Sequence, residues 1–206
     1  MGVVLRTMLI VGMVVFAGSV HAQSLHGRYF VVVWGFQGAT NAILDAHTFA
    51  SFYRGDDLAG GAAHEATISW LPASGVVRPI GPQTGKNFSL DETLRMARQR
   101  KSIVKAYGPY QIKAETYQNA VERIRQLNSG VLKYTVVNWL PGAINCIAAV
   151  GGINGSLRTG WRYGFAATVL VAQHLAINYP TVDPQAAAVV GLGGHAEFVA
   201  NLPPVN

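Results

Sequence analysis

The sequence predicts an α+β fold, a small antiparallel sheet packed against helices. Short β-branched and aromatic runs fill the first third of the chain, and two of them flank a turn-rich loop as hairpin strands do. Later segments show apolar residues at helical spacing, and a capping box opens one helix. The only cysteine, in GAINCIAAVGG (142–152), follows an asparagine suited to an N-cap, which puts Cys146 in the first turn of a helix.

The chain opens on a segment that reads as a leader. Arg6 precedes an uncharged apolar run, MLIVGMVVFAG (8–18), and small residues close the stretch GSVHA (18–22). The run is shorter than the roughly 20 residues a bilayer span needs. A signal peptide over 1–22 is expected, cleaved after Ala22, leaving a single domain over 23–206 that is exported to the periplasm or beyond. An uncleaved N-terminal anchor is the alternative.

RYFVVVW (28–34) reads as a buried strand ended by Gly35. HTFASFY (47–53) and HEATISWLP (64–72) read as strands around the loop RGDDLAGGAA (54–63), the second stopped by Pro72. Residues 76–87 carry Pro and Gly and read as loop. Ser89 and Glu92 form a capping-box pattern, starting a helix that runs to about Arg100. Residues 102–112 read as extended. Tyr117, Val121, Ile124 and Leu127 mark a second helix, with Gly130 at its C-terminal cap, and 131–138 follows as a strand. Gly151 and Gly152 keep the cysteine helix short. RYGFAATVLVAQHLAINY (162–179) is a third helix, apolar on most sides; its uncharged stretch of about 17 residues lies at the bottom of the spanning range, so a buried helix is expected rather than a membrane span.

The net charge of +6 falls to about +5 when Arg6 leaves with the leader, and the basic residues are scattered. The densest run, RMARQRK (95–101), alternates with apolar residues as the wet face of a helix does, so no nucleic-acid partner is expected. No metal-ligand spacing, Walker loop or Gly-x-Ser-x-Gly occurs, and neither metal nor cofactor is expected.

One cysteine forms no intrachain disulfide. Cys146 is therefore an inert buried thiol among Ile144, Ile147 and Val150, half of an intermolecular bridge, or a nucleophile. A thiol at a helix start faces unpaired N–H groups and the positive end of the dipole, which favour the thiolate and also suit an oxyanion. Such a site needs a histidine base. Of the six histidines, His21 leaves with the leader and His26 lies near the new N-terminus; His174 sits in an apolar helix, and His64 and His195 in loop surroundings. His47 stands out because it opens an apolar strand. In a simple hairpin Tyr53 lies near His64 and His47 near Trp70; a register shifted by one sets Ser69 opposite His47 on the same face, the better orienting group. Asp45 shares the face of His47 by its two-residue spacing.

AHTFASF (46–52), ATISWLP (66–72) and the Asn145-Cys146 step resemble circularly permuted papain-like proteins of the NlpC-type superfamily, closest to the Lnb N-terminal periplasmic domain group, over roughly residues 34–153. The Asn-Cys step is also similar to lecithin:retinol acyltransferase-like proteins. The resemblance implies a His strand before a Cys helix, with His47 as base and Cys146 as nucleophile; Ser69 and Asn145 are the candidates for orienting or oxyanion roles. It implies an exported thiol hydrolase or acyltransferase acting on an amide or ester bond of a cell-envelope peptide, glycan or lipid. Related proteins often carry a polar group two residues after the cysteine, where this chain has Ala148. That departure leaves room for a non-catalytic envelope binding protein, and the apolar third helix for a lipid-directed acyltransferase. A site in the classical order, Cys146 with His195, is the weaker arrangement, because the chain between them reads as helix.

Overall fold

The computed structural model describes residues 25–40, 42–59, 66–138, 140–157, 162–176 and 198–200. The segment expected to be a leader, His64, His195 and the GLGGH segment lie outside them. The described chain is α+β, with two mainly antiparallel sheets packed against helices.

The first sheet is built on β1 (Tyr29–Gln37) and β2 (Ala46–Arg54), paired antiparallel along their whole length. β3 (Ala66–Ile68) lines the outer edge of β2, β6 (Ile103–Ile112) the far edge of β1, and β9 (Val199–Ala200) runs parallel to β6. The second sheet takes β4 (Trp70–Pro72), β5 (Gln83–Asn87), β7 (Lys133–Tyr134) and β8 (Ala143–Ile144) in that order. Of the helices, α1 (Gly55–Ala59) is short and α2 (Leu90–Gln99) begins at Ser89. α3 (Ala114–Asn128), α4 (Cys146–Gly151) and α5 (Gly164–Leu175) follow.

Alternation along β1 and β2 splits the core into two clusters. Phe30, Val32, Trp34, Phe36, Phe49 and Tyr53 pack with Leu90, Leu94 and Ala97 of α2. Val31, Val33, Ala50 and Phe52 pack on the opposite face with apolar residues of α3, α4, α5 and the second sheet. Among the described residues no helix is long and apolar enough to cross a membrane.

Several local readings change. β1 continues through Gly35 instead of ending there, because the hydrogen at its Cα admits Thr168 of α5: a Cβ would lie 2.3 Å from Thr168 Oγ1. The loop after β2 contains α1, with Asp56 and Asp57 in its first turn. Part of the Pro- and Gly-bearing 76–87 segment forms β5, where Gly85 lies flat against the Trp70 indole. The predicted strand over 131–138 shrinks to β7. The helical stripe on α3 is rotated: Val121 stays exposed while Thr116, Tyr117, Ala120 and Leu127 are buried.

The hairpin also differs. Its register pairs Ala50 with Ile68, Ser51 with Thr67 and Phe52 with Ala66, one residue away from the simple hairpin in the direction opposite to the shift considered above. Extended by one pair, it would set Ser69 across from Phe49, diagonal to His47 and on its face. The ladder stops before that pair. At Ser69 the chain leaves the first sheet, and at Trp70 it joins the second.

Candidate functional site

The corner at Ser69 is held from four directions. Its N–H donates to Asn87 Oδ1 at 2.8 Å, and Asn87 Nδ2 donates to the Thr67 carbonyl at 2.8 Å. One side-chain amide thus replaces the strand neighbour that the corner lacks. The Ser69 carbonyl accepts from the Phe88 N–H at 2.9 Å. Its hydroxyl lies 2.9 Å from His47 Nε2 and 2.7 Å from Thr93 Oγ1 of α2. All three side chains are buried: His47 is 2 % exposed, Ser69 and Thr93 0 %.

His47 stacks on Phe49, with ring centroids 5.3 Å apart, and packs against Phe36. Burial drives its pKa down from 6.5 to about 3, and the positive charge of Arg100 adds to the effect. The ring is therefore neutral at physiological pH. Arg100 is tied to the Gly75 carbonyl and lies over the Phe36 ring. Nδ1 of His47 is buried and has no hydrogen-bond partner.

Cys146 opens α4. Asn145 caps it by accepting the Ala148 N–H at 2.8 Å, and its own amide donates to the Val136 carbonyl at 3.1 Å. Asn138 braces the cap: its Oδ1 accepts the Asn145 N–H at 2.7 Å and its Nδ2 donates to Asn145 Oδ1 at 3.1 Å. The side chain of Asn145 thus fixes the helix start. The thiol, 6 % exposed, faces the N–H groups of Thr48, Ile147 and Cys146 itself. Burial pushes its pKa up, and those N–H groups pull the other way.

The Thr48 N–H is where the two halves of the site meet. β3 covers β2 only from Ala50 to Phe52, so the edge around Thr48 is left for the cysteine helix. The strand thus presents a main-chain N–H to Cys146 from the residue next to His47. The imidazole points into the cluster beneath α2, and α4 packs with the opposite cluster. No hydrogen bond joins His47 to Cys146. His47 and Ser69 are brought together directly, and His47 and Cys146 are brought to one strand edge.

Sequence reasoning did not single out Tyr134, Arg100, Thr93 or Asn87. Tyr134 is buried, and its phenol is pushed up strongly by burial and then by the charge of Cys146, with Arg100 opposing. It is a neutral O–H donor in the electrical neighbourhood of the thiol. β7 pairs parallel with β8, placing Tyr134 beside Ile144, two residues before Cys146. Nothing local distinguished it from any strand tyrosine. Asp45 bonds instead to Thr40. His26 pairs with Asp56, and His174 lies in α5. Among the described residues no group of three or more His, Cys, Asp or Glu is placed to hold a metal ion.

Comparison of the chain with protein-family models, with curated proteins and with solved structures gave no match.

Proposed function

We propose that the protein is a cysteine hydrolase or acyltransferase in which Cys146 is the nucleophile and Nδ1 of His47 the base. The observation that carries this reading is the buried, unpartnered Nδ1 of a histidine anchored through its other nitrogen, beside the residue whose N–H meets the only thiol. A buried nitrogen without a partner costs about 1–3 kcal/mol, and a catalytic role is one of the reasons such a group is retained.

The resting pair is neutral on both sides: the thiol is pushed up and the imidazole down. His47 would act as a general base during attack rather than as half of a standing ion pair. Nδ1 takes the Sγ proton as sulfur bonds to the carbonyl carbon. The leaving nitrogen or oxygen then takes that proton from Nδ1 as its bond to carbon breaks, leaving a thioester. Water or an amine attacks the thioester in turn, and Cys146 regains its proton. Catalytic hydrogen bonds are often long in a free enzyme and tighten with substrate; here the imidazole, packed on the α2 side, would turn toward the strand edge where the Thr48 N–H meets the sulfur. The N–H groups around the sulfur and the Tyr134 phenol are the oxyanion donors in this reading.

The permuted papain-like order and an amide or ester substrate from the cell envelope belong to the same reading, supported by the His-strand and Cys-helix motifs and by the leader pattern. Purified protein should release product from acyl esters or envelope peptides. Cys146→Ala should lose that activity entirely and His47→Ala by about 100-fold or more, both with an unchanged circular dichroism spectrum. Full activity in Cys146→Ala would refute the proposal. A second reading, a binding protein on the same fold, is favoured by the absence of a His47–Cys146 bond and by Ala148; it predicts a thiol indifferent to His47.

A further inference from the structure

Between Glu65 and Glu115 the sequence has two acids, Asp91 and Glu92, against eight basic residues. Both acids lie in the first turn of α2, where Glu92 is taken up by Ser89 and Lys86. At the other end of that helix Arg98, Arg100 and Lys101 are exposed. Arg100 donates to the Gly75 carbonyl and so ties the loop 74–82 to this helix end. The loop is held in shape: Val77 packs on the core, Gln83 Oε1 accepts the Arg78 N–H at 2.8 Å, and Gln83 Nε2 donates to the Val76 carbonyl at 2.9 Å. It nevertheless keeps Val76 66 % and Ile80 87 % exposed, on either side of Arg78. Ile103, 60 % exposed, follows Lys101 by two residues at the start of β6. Ile103 pairs with Gln37, and the turn from there into β2 carries Asp45, whose carboxylate accepts from Thr40 Oγ1 at 2.6 Å. Among the described residues none of Arg78, Arg98, Arg100 and Lys101 pairs with a carboxylate.

Lys101 adds a second observation. The end of α2 is a Schellman turn, with the Ser102 N–H on the Ala97 carbonyl at 2.9 Å and the Lys101 N–H on the Arg98 carbonyl at 3.0 Å. That turn sets Lys101 at φ 52°, and among the described residues it is the only one besides glycines with a positive φ. Glycine is the usual occupant of this position, because a Cβ there is strained. An exposed lysine thus stands where the fold alone favours glycine. Aliphatic side chains held in water beside unpaired cations are the pattern of a surface that meets a bilayer. The apolar groups enter the acyl boundary and the cations meet anionic headgroups. Nucleic acid is the poorer fit, since aliphatic side chains offer no ring on which a base can stack. We propose that the loop 74–82 and the C-terminal end of α2 form a docking surface for an anionic lipid bilayer, with Val76 and Ile80 inserted and Arg78, Arg98, Arg100 and Lys101 at the headgroups. The surface borders the candidate site, since Arg100 lies over Phe36 and Phe36 packs against His47. It does not depend on catalysis by Cys146.

The test places a reporter in the loop. Full-length Ile80→Trp is mixed with vesicles of phosphatidylglycerol and phosphatidylcholine brominated on their acyl chains, and tryptophan quenching beyond that of wild type is read. Quenching should appear with the anionic mixture and weaken at high salt. It should be lost with brominated phosphatidylcholine alone, and lost for Val121→Trp on the exposed face of α3. In the Ile80→Trp chain, Arg78→Gln or Lys101→Gly should each raise the lipid needed for half-quenching about fivefold, and Val76→Ser about tenfold. Lys101→Gly should do so while unfolding at no lower urea concentration than its parent, which separates a lost contact from a lost fold. No extra quenching at position 80, equal quenching for Val121→Trp, or indifference to the charge changes would overturn the proposal. So would retention by duplex DNA without quenching in vesicles, which would assign the basic residues to nucleic acid. No turnover is read, so a failure here leaves the function proposed for Cys146 standing.

Discussion

His47 is the residue with most at stake. Folded, it takes up a proton only near pH 3, whereas the unfolded chain does so near 6.5. Between those values the unfolded state holds more protons, so stability is complete above about pH 6.5 and declines as pH falls. Its contribution to the slope approaches about 1.4 kcal/mol per pH unit, the value for one proton. Urea unfolding at pH 7, 6 and 5 should show that decline in wild type and a flatter profile in His47→Gln. The carboxylates whose pKa is lowered, Asp56, Glu92 and Glu122, withdraw their support only at lower pH, so this range isolates the imidazole. His47 was legible because a titratable residue opens an otherwise apolar strand. Ser69 was legible as a partner on the same face, although the register that places it is another one. Thr93 was not, since a threonine in a first helical turn has a sufficient local role, and only the fold brings Ser69 beside it.

At the scale of elements, short-range chemistry was readable. The capping box of α2, the Gly130 cap after α3 and the Asn145 cap before α4 each depend on residues within a few positions. What the reading lost was imposed from a distance. Gly35 stays in β1 because Thr168 fills the space a side chain would take, β5 forms along Trp70, and the strand run after α1 breaks where Asn87 takes over the hydrogen bonds of Ser69. The Asn145 cap gives a direct prediction. Asn145→Ala removes the acceptor for Ala148 and the ties to Asn138 and Val136. It should lower stability by about 1–2 kcal/mol in chemical denaturation and speed amide exchange through Ile147 and Ala148.

Taken whole, the molecule brings a strand, a helix and a corner between two sheets to one place. The first sheet carries His47, the second carries Trp70, whose Nε1 donates to the Ile144 carbonyl at 3.2 Å, and Ile144 leads into the cysteine helix. The α+β class was legible because patterning decides it; the division into two sheets was not, because β4, β5, β7 and β8 are too short to declare themselves. Substrate choice is legible in neither the strand pattern nor the core, both of which describe burial. The central claim is that His47 serves Cys146, and the rate of Cys146 alkylation by iodoacetamide against pH, in wild type and His47→Ala, tests it most directly. The account predicts a wild-type rate near pH 7 at least tenfold above that of the variant, because the imidazole takes the Sγ proton during attack, whereas the variant waits for a free thiolate that burial delays to more alkaline pH than an ordinary thiol needs. Coincident profiles, both rising only at alkaline pH, would contradict it and leave Cys146 a packed thiol.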